Sequence, residues 1–92
     1  MITITALIKS KDENIQKIQD MLLHLVNETR KEKACIRYNV QKSDNVFIFW
    51  EEWKDQVGFD LHMTQSHLQD FISKASELVA EPIEVHLATQ IF

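Results

Sequence analysis

Two tryptophans bracket two glutamates in the run Trp50-Glu51-Glu52-Trp53, at the end of the most apolar stretch of the chain. His62 follows Glu51 by eleven residues. A buried, unpaired carboxylate is costly. Either the strand leaves the core there, or a partner meets one of the acids. Alternation puts Glu51 in phase with Phe47, Phe49 and Trp53, and Glu52 in phase with Ile48 and Trp50, so each face carries one acid among aromatics. His62 stands at the end of a short helical segment that crosses back over the sheet, within reach of a strand side chain. A Glu51–His62 pair held between sheet and helices favours both charged forms and can move a proton. Read structurally, the same pair only fixes the short helix on the sheet. His67 opens the next helix, where N-terminal amide groups tend to keep an imidazole neutral.

The elements that must position these groups are legible as period. Ile2, Ile4, Ala6 and Ile8 alternate with Thr3, Thr5 and Leu7, which reads as strand one. Ser10-Lys11-Asp12-Glu13 fits a capping box, and Ile15, Ile18, Leu22, Leu25 and Val26 follow at helical spacing, predicting a helix from roughly 12 to 31. Residues 34–42 read as strand two, with Ile36, Tyr38 and Val40 on one face. Ser43-Asp44-Asn45 supplies hairpin chemistry, and residues 46–53 form strand three. Asp55 can cap a short helix to about Met63, weakened by Gly58 inside it. Ser66 and Gln69 form a second possible capping box. It opens a helix with the stripe Leu68, Phe71, Ile72, Ala75, Leu78 and Val79 that Pro82 stops, and residues 83–92 read as strand four.

The order β-α-β-β-α-β is the split βαβ arrangement: an α+β, ferredoxin-like fold with a four-stranded antiparallel sheet and both helices on one face. Strand three should then alternate if its other face were wet. Instead Val46-Phe47-Ile48-Phe49-Trp50 is continuously apolar. The simplest cover is the sheet of a second copy, a homodimer through sheet faces.

Ninety-two residues with 45% hydrophobic and 26% charged content make one globular domain, 1–92. A formal charge of -4 and the acids of strand three argue against nucleic acid, including the RNA-binding version of this topology. The N-terminus lacks a signal-peptide pattern and no stretch approaches a membrane span, so the expected location is cytoplasmic. Cys35 is the sole cysteine and reads as a small strand residue. No metal is expected: His62 and His67 are five apart, off the spacing that puts two imidazoles on one helical face, and His24 and His86 are isolated.

The run Trp50-Glu51-Glu52-Trp53-Lys54-Asp55, then His62, then Ser66-His67, resembles the "E-x-W-x-[DE], eleven on to His, then S-x-H" segment of the antibiotic biosynthesis monooxygenase (ABM) domain family. Cys35-Ile36-Arg37-Tyr38 is similar to its "GC-[LI]-x-Y" stretch. The resemblance covers essentially the whole chain. It implies a dimeric α+β barrel with a pocket in each subunit, and oxidation of a quinol or polycyclic phenol by dioxygen as co-substrate without a cofactor. Under it, His62 is the proton acceptor or substrate partner and Glu51 orients it, Tyr38 and Trp53 are pocket residues, and His67 sits at the mouth. The chain departs from the pattern at Ala34, where a Gly is usual, and at Gly58, where Ala is common, which suggests a looser short helix.

Alternatives share the fold. A haem-degrading relative relies on an Asn in strand one, where this chain has Thr3 and Thr5. An isomerase of a phosphorylated sugar-like molecule would want basic pocket residues, for which Arg37 and Lys42 are candidates. A non-enzymatic ligand-binding module is the reading from a different class.

Overall fold

A computed structural model describes residues 1–92. The elements are β1 (Ile2–Lys9), α1 (Ile15–Thr29), β2 (Cys35–Ser43), β3 (Val46–Trp53), α2 (Gln56–Met63), α3 (Ser66–Ala75) and β4 (Glu84–Ala88). The sheet order is β2-β3-β1-β4 and every pairing is antiparallel. The expected ferredoxin-like α+β architecture is present.

Period two decides which side chains meet the helices. Ile4, Ala6 and Ile8 of β1 and Phe47, Phe49, Glu51 and Trp53 of β3 are buried against Ile18, Leu22 and Leu25 of α1 and Leu68, Phe71 and Ala75 of α3. The opposite face keeps Ile36 and Trp50 57% and 51% exposed. The apolar run of β3 therefore does supply two faces, and the outer one is open on a single chain. The β2–β3 hairpin turns through Asp44 and Asn45, with Asp44 at φ 52, a conformation short polar side chains tolerate.

Five local expectations are corrected. Residues Asp12–Asn14 form a 3-10 turn before α1, because the Ser10 hydroxyl donates to the Lys11 carbonyl instead of capping the helix. The Ser66–Gln69 box is also absent: Gln65 occupies the cap position, and Gln69 Nε2 donates to the Met63 carbonyl. Helix α3 ends at Ala75, well before Pro82. The end of β1 captures the chain there: Lys11 N–H donates to Leu78 O, Ala80 N–H donates to Lys9 O, and Val79 bridges Ser10. These bonds replace those a longer helix would have made. Strand β4 is only Glu84–Ala88, an exposed edge paired to β1 alone.

The fifth correction is a β-bulge. Cys35 pairs Trp53 and Arg37 pairs Glu52, so Ile36 has no partner. The extra residue breaks the alternation: Tyr38 is buried opposite Glu51 while Ile36 points outward. Ile36 and Tyr38 do not share a face.

Candidate active site

Glu51 lies on the helix-facing side of β3, flanked in register by Ile4 of β1 and Tyr38 of β2. His62 comes from the last turn of α2. The Asp55 side chain starts that helix by accepting from Gly58 N–H at 2.8 Å. Both residues border a cavity of about 70 Å³ whose other lining is apolar or aromatic, including Tyr38, Phe49, Phe59 and Phe71. Neither acid nor base reaches bulk water: Glu51 is 5% exposed and His62 2%.

The two groups are not hydrogen-bonded to one another. Glu51 Oε1 accepts from Trp53 Nε1 at 2.9 Å, and His62 Nδ1 meets Glu32 Oε2 at 2.8 Å. The expectation that Glu51 orients His62 is thus overturned. Glu32, in the α1–β2 connection, does so, and the same Oε2 meets Nε2 of His67, again at 2.8 Å. A carboxylate only accepts, so both facing nitrogens carry hydrogen. Neutral His62 is then the Nδ1–H tautomer, with Nε2 left as a lone-pair acceptor. The connection that carries Glu32 is itself pinned: Glu32 N–H donates to Thr29 O, and Cys35 N–H donates to Glu32 O.

Trp53 and His67 are near the site but do not line the cavity. Trp53 is fully buried behind it, its ring 4.5 Å from that of His62. His67 shares Glu32 Oε2 with His62, and its ring lies 6.3 Å from the His62 ring. Tyr38 does line the cavity, its ring 5.6 Å from His62. Glu52 is on the outer face, paired with Arg37 at 2.6 Å. That removes Arg37 from the cavity, and Lys42 does not reach it either.

Burial governs the electrostatics. It pushes the Glu51 carboxyl up to about 7; the Trp53 N–H opposes this, and repulsion from Glu32 adds to it. Burial lowers the His62 imidazole below its ordinary value, against the pull of Glu32. The Tyr38 hydroxyl is driven upward by burial and by Glu51. Cys35 is pushed up to about 11 by burial, Glu32 and Glu51, so its thiol stays protonated at neutral pH.

Gly58 does not loosen α2. It is buried, and a methyl group there would overlap Cβ of Ala34. The two departures from the family pattern therefore face each other: the methyl at 34 occupies the space that the glycine at 58 leaves. Gly58→Ala should destabilise the fold by about 1–3 kcal/mol through overpacking, despite the better helix propensity of alanine. The double variant Ala34→Gly/Gly58→Ala should recover most of that loss in urea unfolding. Failure of the rescue would mean that the clash lies elsewhere.

Glu32 is the residue that sequence reasoning missed. It sits in the charged run Arg30-Lys31-Glu32-Lys33 and reads as a solvated helix end. The usable signal was indirect: two histidines on neighbouring helix ends need an acceptor, and the α1–β2 connection is the segment the topology lays beside them.

Known proteins resemble this chain in sequence and in fold. The family model described as "Antibiotic biosynthesis monooxygenase" matches residues 1–74, a span that contains Glu32, Tyr38, Glu51, Trp53, His62 and His67. A relative from Bacillus subtilis (strain 168), named "Putative monooxygenase YcnE", is 31% identical over 88 residues, covering 92% of this chain and 93% of the relative. Protein SO0527 of Shewanella oneidensis superposes with a TM-score of 0.90 at 29% identity, covering 97% of this chain and 89% of that one. A crystal structure of an antibiotic biosynthesis monooxygenase reaches 0.94 at 24% identity over 99% of both chains, a likeness of fold. The match runs from β1 almost to the end of α3, and the Bacillus relative is nearly coextensive. This chain belongs to the antibiotic biosynthesis monooxygenase family.

Proposed function

We propose that the chain is a monooxygenase that oxidises a small quinol or fused-ring phenol with dioxygen and needs no bound cofactor. The observation that carries this reading is one carboxyl and one imidazole facing an otherwise apolar, aromatic cavity. His62 Nε2 takes the phenolic proton, while Glu32 holds Nδ1–H and stabilises the imidazolium that forms. Glu51, poised at about 7, donates to or accepts from a second substrate oxygen. The apolar walls keep the electron-rich anion dry and admit dioxygen. For a quinol the balance closes without another reductant. One oxygen atom becomes a ring hydroxyl, the other leaves as water with the two original hydroxyl hydrogens, and a hydroxyquinone remains. Strand β1 offers Thr3 and Thr5 where the haem-degrading alternative relies on an Asn, which disfavours that alternative.

The test is oxygen consumption by the purified protein with one-, two- and three-ring quinols. The expected result is one dioxygen per quinol, with one atom of isotopically labelled oxygen in the product. No consumption above the autoxidation rate across the series would overturn the reading.

The same proposal includes a homodimer through the outer sheet face, supported by the exposed Ile36 and Trp50. Trp50→Glu should shift the protein from dimer to monomer in sedimentation velocity. A monomer before substitution would refute the dimer.

A further inference from the structure

Glu32, His62 and His67 form a ligand set as well as a hydrogen-bonded triad. One donor atom from each lies within 4.8 Å of the other two, and three separate segments deliver them. We propose that this triad is a binding site for a zinc-class divalent ion, and that its occupancy stops His62 from accepting a proton; this second part rests on the function proposed above.

The donors are sheltered, unlike the acid clusters common on surfaces. The side chains of Glu32, His62 and His67 are 12%, 2% and 16% exposed. Two imidazoles and one carboxylate suit zinc, cobalt or nickel, not magnesium or calcium, which prefer all-oxygen shells. A tetrahedral ion at its usual bond lengths would hold such donors about 3.4 Å apart. The two contacts to Glu32 Oε2 are now 2.8 Å. Side-chain shifts of roughly 1 Å or less would therefore complete the geometry. A solvent-open cleft lined by Glu28, Glu32, Gln65 and His67 gives a route in. Water from that cleft would fill the fourth position. Two lysines border the same cleft: Lys31 is neutralised by Glu28, and Lys33 is exposed.

The chemical consequence lies in the tautomers. Binding replaces hydrogen at Nδ1 of His62 and Nε2 of His67, so each neutral ring moves its proton to its other nitrogen. His62 Nε2, an acceptor in the metal-free triad, becomes a donor. A phenolic proton then has nowhere to go on that ring.

The experiment uses the full chain and needs no substrate. Calorimetric titration with zinc should show one ion per chain, and no comparable heat with magnesium. Cobalt should give the visible absorption of a tetrahedral site. Glu32→Gln and His67→Ala should each weaken zinc binding at least about tenfold. Nitrogen-15 imidazole spectra of the unsubstituted protein should show the His62 proton moving from Nδ1 to Nε2. If either variant fails to fold, the other variant and the imidazole spectra still decide. Absent stoichiometric binding, binding that survives both substitutions, or an unmoved His62 proton overturns the proposal. A protein that binds zinc with these signatures but oxidises no quinol would keep the site and discard the oxygenase reading.

Discussion

Replacing His62 with alanine should lower quinol-driven oxygen consumption about 10²- to 10⁴-fold, the range expected when a positioned base is lost. His62 is the imidazole at the cavity, and its Nδ1 is already committed to Glu32, so Nε2 is the nitrogen it offers a substrate. The ring also fills space between Trp53, Tyr38 and Phe59. Alanine will therefore cost stability too, and His62→Gln is the paired variant because it keeps more of the volume and can still donate to Glu32. Circular dichroism establishes that both are folded before rates are compared. A base predicts rate loss in both variants. A side chain that only fastens α2 predicts lower melting temperatures with turnover per folded molecule unchanged, and that outcome would refute the role.

The second large effect is on stability. Glu51 sits near 4.5 in an unfolded chain and at about 7 in the folded one, because burial disfavours its charge. Below about pH 4.5 it is protonated in both states and contributes no penalty. Between 4.5 and 7 the unfolded chain releases the proton first, so stability falls as pH rises. Above about 7 the full difference of about 3 kcal/mol is lost. That is a large part of the 5–15 kcal/mol typical of a domain. Glu51→Gln removes the charge and keeps an oxygen for Trp53 Nε1. Urea unfolding at matched protein concentration should find the variant close to wild type at pH 4.5 and more stable by about 3 kcal/mol at pH 8. Equal stability of the two proteins at pH 8 would show that Glu51 ionises without penalty.

Much of this architecture follows from patterns short enough to read along the chain. The alternation of β1, the Ser43–Asn45 hairpin and the amphipathic stripe of α1 are each decided within one element, and the structure has all three. What local pattern missed depends on partners distant in sequence. Ile36 looks like a neighbour of Tyr38 until pairing with Trp53 and Glu52 leaves it over. Leu78 and Val79 extend the helical stripe, yet Lys9, Ser10 and Lys11 claim the backbone of residues 78–80. At the site, the His62 and Glu51 positions by the cavity follow from phase and spacing. Of their partners, Trp53 stands in phase with Glu51 two residues on, whereas Glu32 is thirty residues from His62 and wins by proximity in three dimensions. The five-residue gap keeps His62 and His67 off one helical face, yet they lie on two helices, and one oxygen reaches both.

Gly58 stands one helical turn before His62, and Ala34 two residues after Glu32. Their contact seats the Ala34 methyl against the main chain of Gly58, so the gauge between acid and imidazole is set close to the backbone and not left to two flexible side chains. For a proton the triad is already gathered, an ion asks only small side-chain shifts, and most of the entropy of assembling the triad is charged to folding instead of to each event at the site.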